Sequence, residues 1–272
     1  MPKYPKLKFK IHDFDGIQNG QFVWGNSRRE IFDRYYDAVE KADPEEAAID
    51  FEEIIEDDPE FIDAHSSLGF LELDFFNNGN AFHYFNQGFQ LGNKLISRDF
   101  KGQIIWGMME NRPFLRTMQG LGLTYLFMRE WEKASQIFSK MLNYNPNDNQ
   151  GIRTLIIQSY LAMGKFGDVL KINKLFPEDI MPDTLYGAVI ANYRLDKMDK
   201  AKKALKDAIE FSPNVAKELI KKKHKKIESE MPGSITVGGE DEAYDYWERV
   251  GPYWTDPKIL KFVEDGLKKL KR

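Results

Sequence analysis

The chain has 272 residues, a formal net charge of −4, 42% hydrophobic and 14% aromatic residues, and no cysteine. That apolar share can fill a large core, and the lack of cysteine excludes disulfides and thiolate metal sites. Residues 1–10 are basic but lack a signal peptide's apolar run, and no stretch nears the roughly 18 apolar residues of a membrane span. The expectation is a soluble, cytoplasmic protein with no membrane partner. Charge is unevenly spread: residues 37–60 hold twelve acids and one base, residues 194–226 twelve Lys or Arg against five acids. Most such runs are solvated helix faces, but opposite charge at two ends also admits a head-to-tail homo-oligomer.

Taken in order, residues 1–26 do not read as helix. Leu7, Phe9 and Ile11 alternate with polar residues, and Gln18-Asn19-Gly20 signals a turn before Gln21–Trp24, so an extended arm or short hairpin is expected. Helix begins at Ser27, where Ser27-Arg28-Arg29-Glu30 spells a capping box. Five hairpin repeats are expected over 27–215: 28–61, 62–95, 115–148, 149–181 and 182–215, with an insert at 96–114. In the first, Ile31, Tyr35 and Ala38 form one stripe, Ala47, Phe51 and Ile54 the next, and Asp43-Pro44-Glu45-Glu46 opens the second helix. In the second, Asn77-Asn78-Gly79-Asn80 is read as the inter-helix turn. The insert carries Phe100, Ile104, Ile105 and Trp106, a composition suited to a packed excursion. The third repeat is the clearest: Leu121, Gly122 and Tyr125 lie along one helix, Ala134, Phe138 and Met141 along the next, and Pro146 closes it. Pro146 and Pro213 stand two repeats apart, and Pro59 and Pro146 two repeats plus the insert. Residues 216–272 are expected to cap the array, with a basic helix over 215–230, an aromatic tail, and a last amphipathic helix over 258–270.

The spacing in 115–148 resembles the L-G-x2-Y…A-x3-F…P signature of the tetratricopeptide repeat (TPR), with Met118 at the place of the leading Trp. The resemblance implies an all-α, TPR-type α-solenoid, a right-handed superhelix of helical hairpins, here with a short non-helical N-terminal arm. It also implies non-catalytic recognition of a peptide or protein surface in a concave groove. The runs Asn111-Arg112-Pro113-Phe114-Leu115-Arg116 and Asn145-Pro146-Asn147-Asp148-Asn149-Gln150-Gly151-Ile152-Arg153 are more narrowly similar to a group of uncharacterised bacterial TPR proteins.

Catalytic signals are weak. Ile11-His12-Asp13-Phe14-Asp15-Gly16 resembles the aspartate motif of haloacid-dehalogenase phosphatases, but Ile17 replaces the usual Thr and no α/β domain follows. A polar turn is the better reading. His12, His65, His83 and His224 have no metal-ligand spacing, and Gly120-Leu121-Gly122 sits within a helical stripe rather than after a strand. No enzyme activity, metal or cofactor is expected. For binding, the helical period projects Arg116, Gln119 and Leu123, then Gln150, Arg153, Ile157 and Tyr160, then Tyr186, Ile190 and Tyr193 into the groove. Asp183 is projected there beside Tyr186. Arginine forks onto carboxylates and tyrosine offers rigid area, so an acidic or C-terminal peptide is the expected partner. Tyr244, Tyr246, Trp247, Tyr253 and Trp254 form a candidate lid. The alternatives are a nucleic-acid adaptor using the basic 217–226 end, and a self-associating structural protein whose groove its own tail fills.

Overall fold

The computed structural model describes residues 4, 6–24, 28–227 and 233–270. Thirteen α-helices and one two-stranded sheet occur among them. They divide into two compact units, residues 1–152 and 153–272.

The first unit opens with an antiparallel hairpin, β1 (Lys8–Phe14) and β2 (Ile17–Val23), in which Phe14 pairs with Ile17. Asp15 and Gly16 are thus a two-residue loop, with φ of +52° and +79°. That backbone matches the twist of the strands, and Asp-Gly is among the pairs that adopt it most easily. Asp13 Oδ1 accepts from Gly16 N at 3.0 Å, so the aspartate stretch is a hydrogen-bonded turn. The turn expected at Gln18-Asn19-Gly20 is corrected, because those residues lie inside β2. There Gly20 N donates to Gln103 O at 2.7 Å and Gln103 N to Gln18 O at 2.8 Å.

Three helical hairpins follow: α1 (Arg29–Val39) with α2 (Pro44–Asp57), α3 (Ile62–Asp74) with α4 (Asn78–Asn93), and α5 (Arg112–Phe127) with α6 (Trp131–Tyr144). Ser27 of the expected capping box lies outside the described residues. The N-cap of α1 is Arg28, buried 2.8 Å from Asp58 and lying over the Trp24 ring. Asp43 caps α2, its carboxylate accepting from Glu45 N at 2.9 Å. Asn77 caps α4 through Asn80 N, so Asn78-Gly79-Asn80 is the first turn of that helix and not a linker. The reversal falls one residue earlier, on Phe76 at φ +58°. Arg129, Gly164 and Asp196 take the same left-handed conformation, at +60°, +66° and +60°, between the helices of the later hairpins. This costs most L-residues roughly 1–2 kcal/mol, so the sequence advertises the turn at Gly164 and weakly at Asp196, but not at Phe76 or Arg129.

Neighbouring helices cross where glycine lets an aromatic ring in. A Cβ on Gly69 would meet the Phe85 ring at 2.6 Å and one on Gly120 at 2.1 Å, while Gly122 stands 2.3 Å from Phe138 in the same sense. The insert is packed: Ile104 N donates to Tyr144 O at 2.8 Å and Trp106 N to Asn145 Oδ1 at 3.2 Å. Asn111, fully buried, ties it to the hairpin. Its Oδ1 accepts from Phe22 N at 3.1 Å, and its Nδ2 donates to Gly20 O at 3.0 Å and Ile105 O at 3.2 Å.

The second unit holds α7 (Ile152–Ala162), which begins at the division, then α8 (Phe166–Leu175), α9 (Pro182–Arg194), α10 (Met198–Phe211) and α11 (Pro213–Leu219). The tail adds α12 (Glu240–Val250), a 3-10 turn at Gly251–Trp254 and α13 (Pro257–Leu270). In α13, Ile259, Val263 and Leu267 are buried at helical spacing. The basic helix expected over 215–230 is corrected: it stops at Leu219, and positions 228–230 lie outside the described residues. The clustered lysines beyond it repel one another along a helix, and buried Glu218 instead draws back Lys221 and His224.

Replacing Asn111 with Leu should orphan two buried backbone groups, Phe22 N and Gly20 O, each costing roughly 1–3 kcal/mol, less some relaxation, while Ile105 O keeps its bond from Met108 N. Urea denaturation is expected to show a loss of about 2–4 kcal/mol. An unchanged midpoint would mean that the hairpin is not anchored through this side chain.

Candidate interaction surfaces

In the first unit the first helix of each hairpin contributes to one polar cluster. Asp63, in the first turn of α3, is 6% exposed. Arg116, early in α5, approaches it at 3.8 Å while keeping its own side chain 43% exposed. Asp63 Oδ2 has no hydrogen-bond partner among the described residues. Burial pushes this carboxyl up to about 7, and the Arg116 charge only partly opposes that. Trp106, from the insert, lies under two guanidinium groups, 5.1 Å from Arg112 and 5.7 Å from Arg116. Tyr35 on α1 shares a hydrogen bond with Ser67 on α3 at 3.0 Å, and burial with the nearby Asp63 charge raises its phenol to about 12. Further along α5, Gln119 accepts from Gln150 at 2.7 Å, and Leu123 is half-buried. Of these expected residues, Gln119 and Gln150 meet directly, while Arg116 turns to Asp63.

The C-terminal ends of these first helices expose apolar side chains. Tyr36 and Val39 on α1, Phe75 and Phe76 after α3, and Phe127 and Met128 at the end of α5 are all exposed, Phe76 at 91%. Tyr35 bonds Ser67 and Arg116 approaches Asp63, so α1, α3 and α5 lie side by side at matching positions, which sets their C-terminal ends along one edge. Large apolar side chains gathered there mark a contact surface more often than a solvated one.

The second unit is different, because its own tail covers the equivalent face. Asp183 in the first turn of α9 is forked by Arg249 of α12, at 2.7 and 3.0 Å. Tyr186 has the Tyr246 ring at 5.8 Å and Trp254 at 6.2 Å. Its hydroxyl donates to Ser212 O at 2.7 Å and accepts from Ala216 N at 3.1 Å. Tyr193 meets Phe262 of α13 at 5.3 Å. Three expected groove residues are corrected: Ile157, Tyr186 and Ile190 are at most 1% exposed and belong to the interior. Arg153 is half-buried, its fork taken by Asp179 at 2.7 and 3.1 Å, so it does not wait for a ligand carboxylate. Tyr160 is half-buried.

The tail aromatics split by role. Tyr246 and Trp254 are buried and joined by a Trp254 Nε1 to Tyr246 hydroxyl bond of 3.2 Å. Trp247 instead stacks on His224 at 3.7 Å, with Tyr244 beside it, and His224 Nδ1 lies 2.8 Å from Glu218. Tyr253 is half-buried. Sequence reasoning missed Asp63, Trp106, Asp179 and Arg249. An acid opening α3 and another opening α9 are visible in the repeat frame, but their partners are remote in sequence. Among the described residues no group of three or more His, Cys, Asp or Glu could hold a metal ion, and no helix is long and apolar enough to cross a membrane.

The family model described as transcriptional repressor TCF25 matches residues 61–272. The chain belongs to the Tcf25 family. The match takes in α3 through α13 and leaves out the hairpin, α1 and α2. It is to the Tcf25 family, and not to the narrower bacterial group, that the family comparison points. Among solved structures the chain is similar to YrrB, described as a TPR protein with an unusual peptide-binding site. The TM-score is 0.52 at 14% identity, over 68% of this chain and 86% of that one. It is also similar to a MamA double mutant, at TM-score 0.52 and 14% identity, over 68% of this chain and 94% of that one. These likenesses show the TPR fold for this Tcf25 family member. The comparison with curated proteins returned no match.

Asp63 holds its proton more tightly folded, near 7, than unfolded, near 3.8. Its contribution to stability therefore falls as pH rises from about 4 to about 7. Asp63→Asn removes that loss. At about 1.36 kcal/mol per unit, and allowing for the lost ion pair, the variant should be more stable at pH 8 by on the order of 1–3 kcal/mol. The advantage should vanish towards pH 4. Thermal melts of both proteins across this range check it, and a variant no more stable than wild type at pH 8 contradicts it.

Proposed function

We propose that this Tcf25 family member is a non-catalytic scaffold that binds a protein or peptide on its first unit. The observation that carries this is the row of exposed apolar residues at the ends of α1, α3 and α5, from Tyr36 to Met128. Arg116, Gln119, Leu123 and Gln150 lie on the same first helices or beside them. Arg116 is free enough to meet a partner's carboxylate or main-chain carbonyl, and Asp63 can take a donor from that partner. The fold supports the reading, since one structural neighbour is described as having a peptide-binding site. The family's description as a transcriptional repressor is compatible with a scaffold that assembles other proteins.

The two alternatives receive different support. A tail that fills the groove describes the second unit well, with Tyr246 and Trp254 on Tyr186. A nucleic-acid contact through 217–226 is weaker, because Glu218 already engages Lys221 and His224 in that run.

Photo-crosslinking residues installed separately at positions 76 and 49 in the full chain test the scaffold reading. Both sites are exposed, but Ile49 lies on α2, away from the row. Position 76 should capture a protein partner from cells of the source, with the yield cut at least tenfold by Phe127→Ser and Arg116→Ala together. Equal capture from both positions, or no effect of the substitutions, would contradict the proposal.

A further inference from the structure

Lys140 is a cation without an acid. It lies on α6, half-buried, and its Nζ donates to the neutral amide of Asn93 at 2.7 Å. The Phe89 and Tyr144 rings lie 5.4 and 5.5 Å from it. It opens on a cleft of about 680 Å³ between the end of α4, the start of the insert and α6. Lys94, Arg98, Lys101 and Lys140 line this cleft with Ser97 and Tyr144, and no carboxylate does. Lys94 is partly neutralised by Glu60 at 3.6 Å. Arg98, Lys101 and Lys140 have no ion-pair partner among the described residues. Asp99, the acid nearest in sequence, does not line the cleft and donates its main-chain N–H to Ser97 Oγ at 3.3 Å.

Three cations around one hollow with no carboxylate among its lining, one of them half-buried, repel one another unless an anion joins them. A helix C-terminus accounts for Lys94, which caps α4, but not for Lys140 on a different helix. Guanidinium and ammonium donors with a hydroxyl suit the tetrahedral oxygens of phosphate, and several cations favour more than one phosphate. We propose that this cleft binds a small ligand carrying two or more phosphate groups. Phosphate oxygens would meet Lys140, Arg98 and Lys101, with Tyr144 forming an apolar wall.

Isothermal titration of the full chain with tripolyphosphate tests this. Saturable binding is expected, weakened at least tenfold by Lys140→Met and equally by Arg98→Gln with Lys101→Gln, which are exposed changes that spare the fold. Lys133→Gln, on α6 but outside the cleft, should leave it unchanged. Absence of saturable binding overturns the proposal, as does equal weakening by Lys133→Gln. Binding of a single-stranded RNA oligonucleotide through these residues, with tripolyphosphate not bound, overturns the assignment to a small ligand.

Discussion

The architecture rests on aromatic rings set where glycine leaves room. Phe85 on α4 occupies space that a side chain on Gly69 of α3 or Gly120 of α5 would take, so one ring fixes both its own hairpin and the next. Phe138 repeats the device one hairpin on, against Gly122. Side chains packed to crystal-like density cannot slide, and the crossing sets which stripe of each first helix faces the core. It also decides which stripe is left over.

That remaining stripe must be dealt with, because apolar area left in water forgoes about 25 cal/mol per Å². The second unit deals with it internally. Tyr246 and Trp254 close over Tyr186, and Arg249 supplies the counter-charge that a buried Asp183 requires. In the first unit an acid also opens α3, but Asp63 has only a distant, exposed Arg116 and one oxygen unpaired. The two units thus solve one problem in two ways, and the contrast underlies the assignment of binding to the first.

Much of this was legible in the sequence, for identifiable reasons. The hairpins and their crossings follow from period and residue size, which is why Leu121, Gly122, Ala134 and Phe138 could be placed. Gln119 and Gln150 meet because one helix face and one loop suffice to bring them there. What was not legible depends on partners distant along the chain. Arg249 reaches Asp183 across 66 positions, so nothing near Tyr186 or Ile190 announces that they are covered. Asn111 reads as an ordinary residue before Arg112-Pro113 until β2 is laid beside it. The helix expected over 215–230 stops at Leu219, where buried Glu218 draws back Lys221 and His224, contacts that the local pattern does not announce. The inter-helix turns at Phe76 and Arg129 are hidden because each uses a residue with no preference for positive φ.

The central claim is that the tail belongs to the core of the second unit, leaving the first to bind partners. Native-state hydrogen exchange of the full chain tests it most directly. Amides of α9, α12 and α13 should open with one common free energy, close to that for unfolding the whole second unit. Exchange in α12 and α13 a hundredfold or more faster than in α9 would instead mark the tail as a detachable cover and contradict the account.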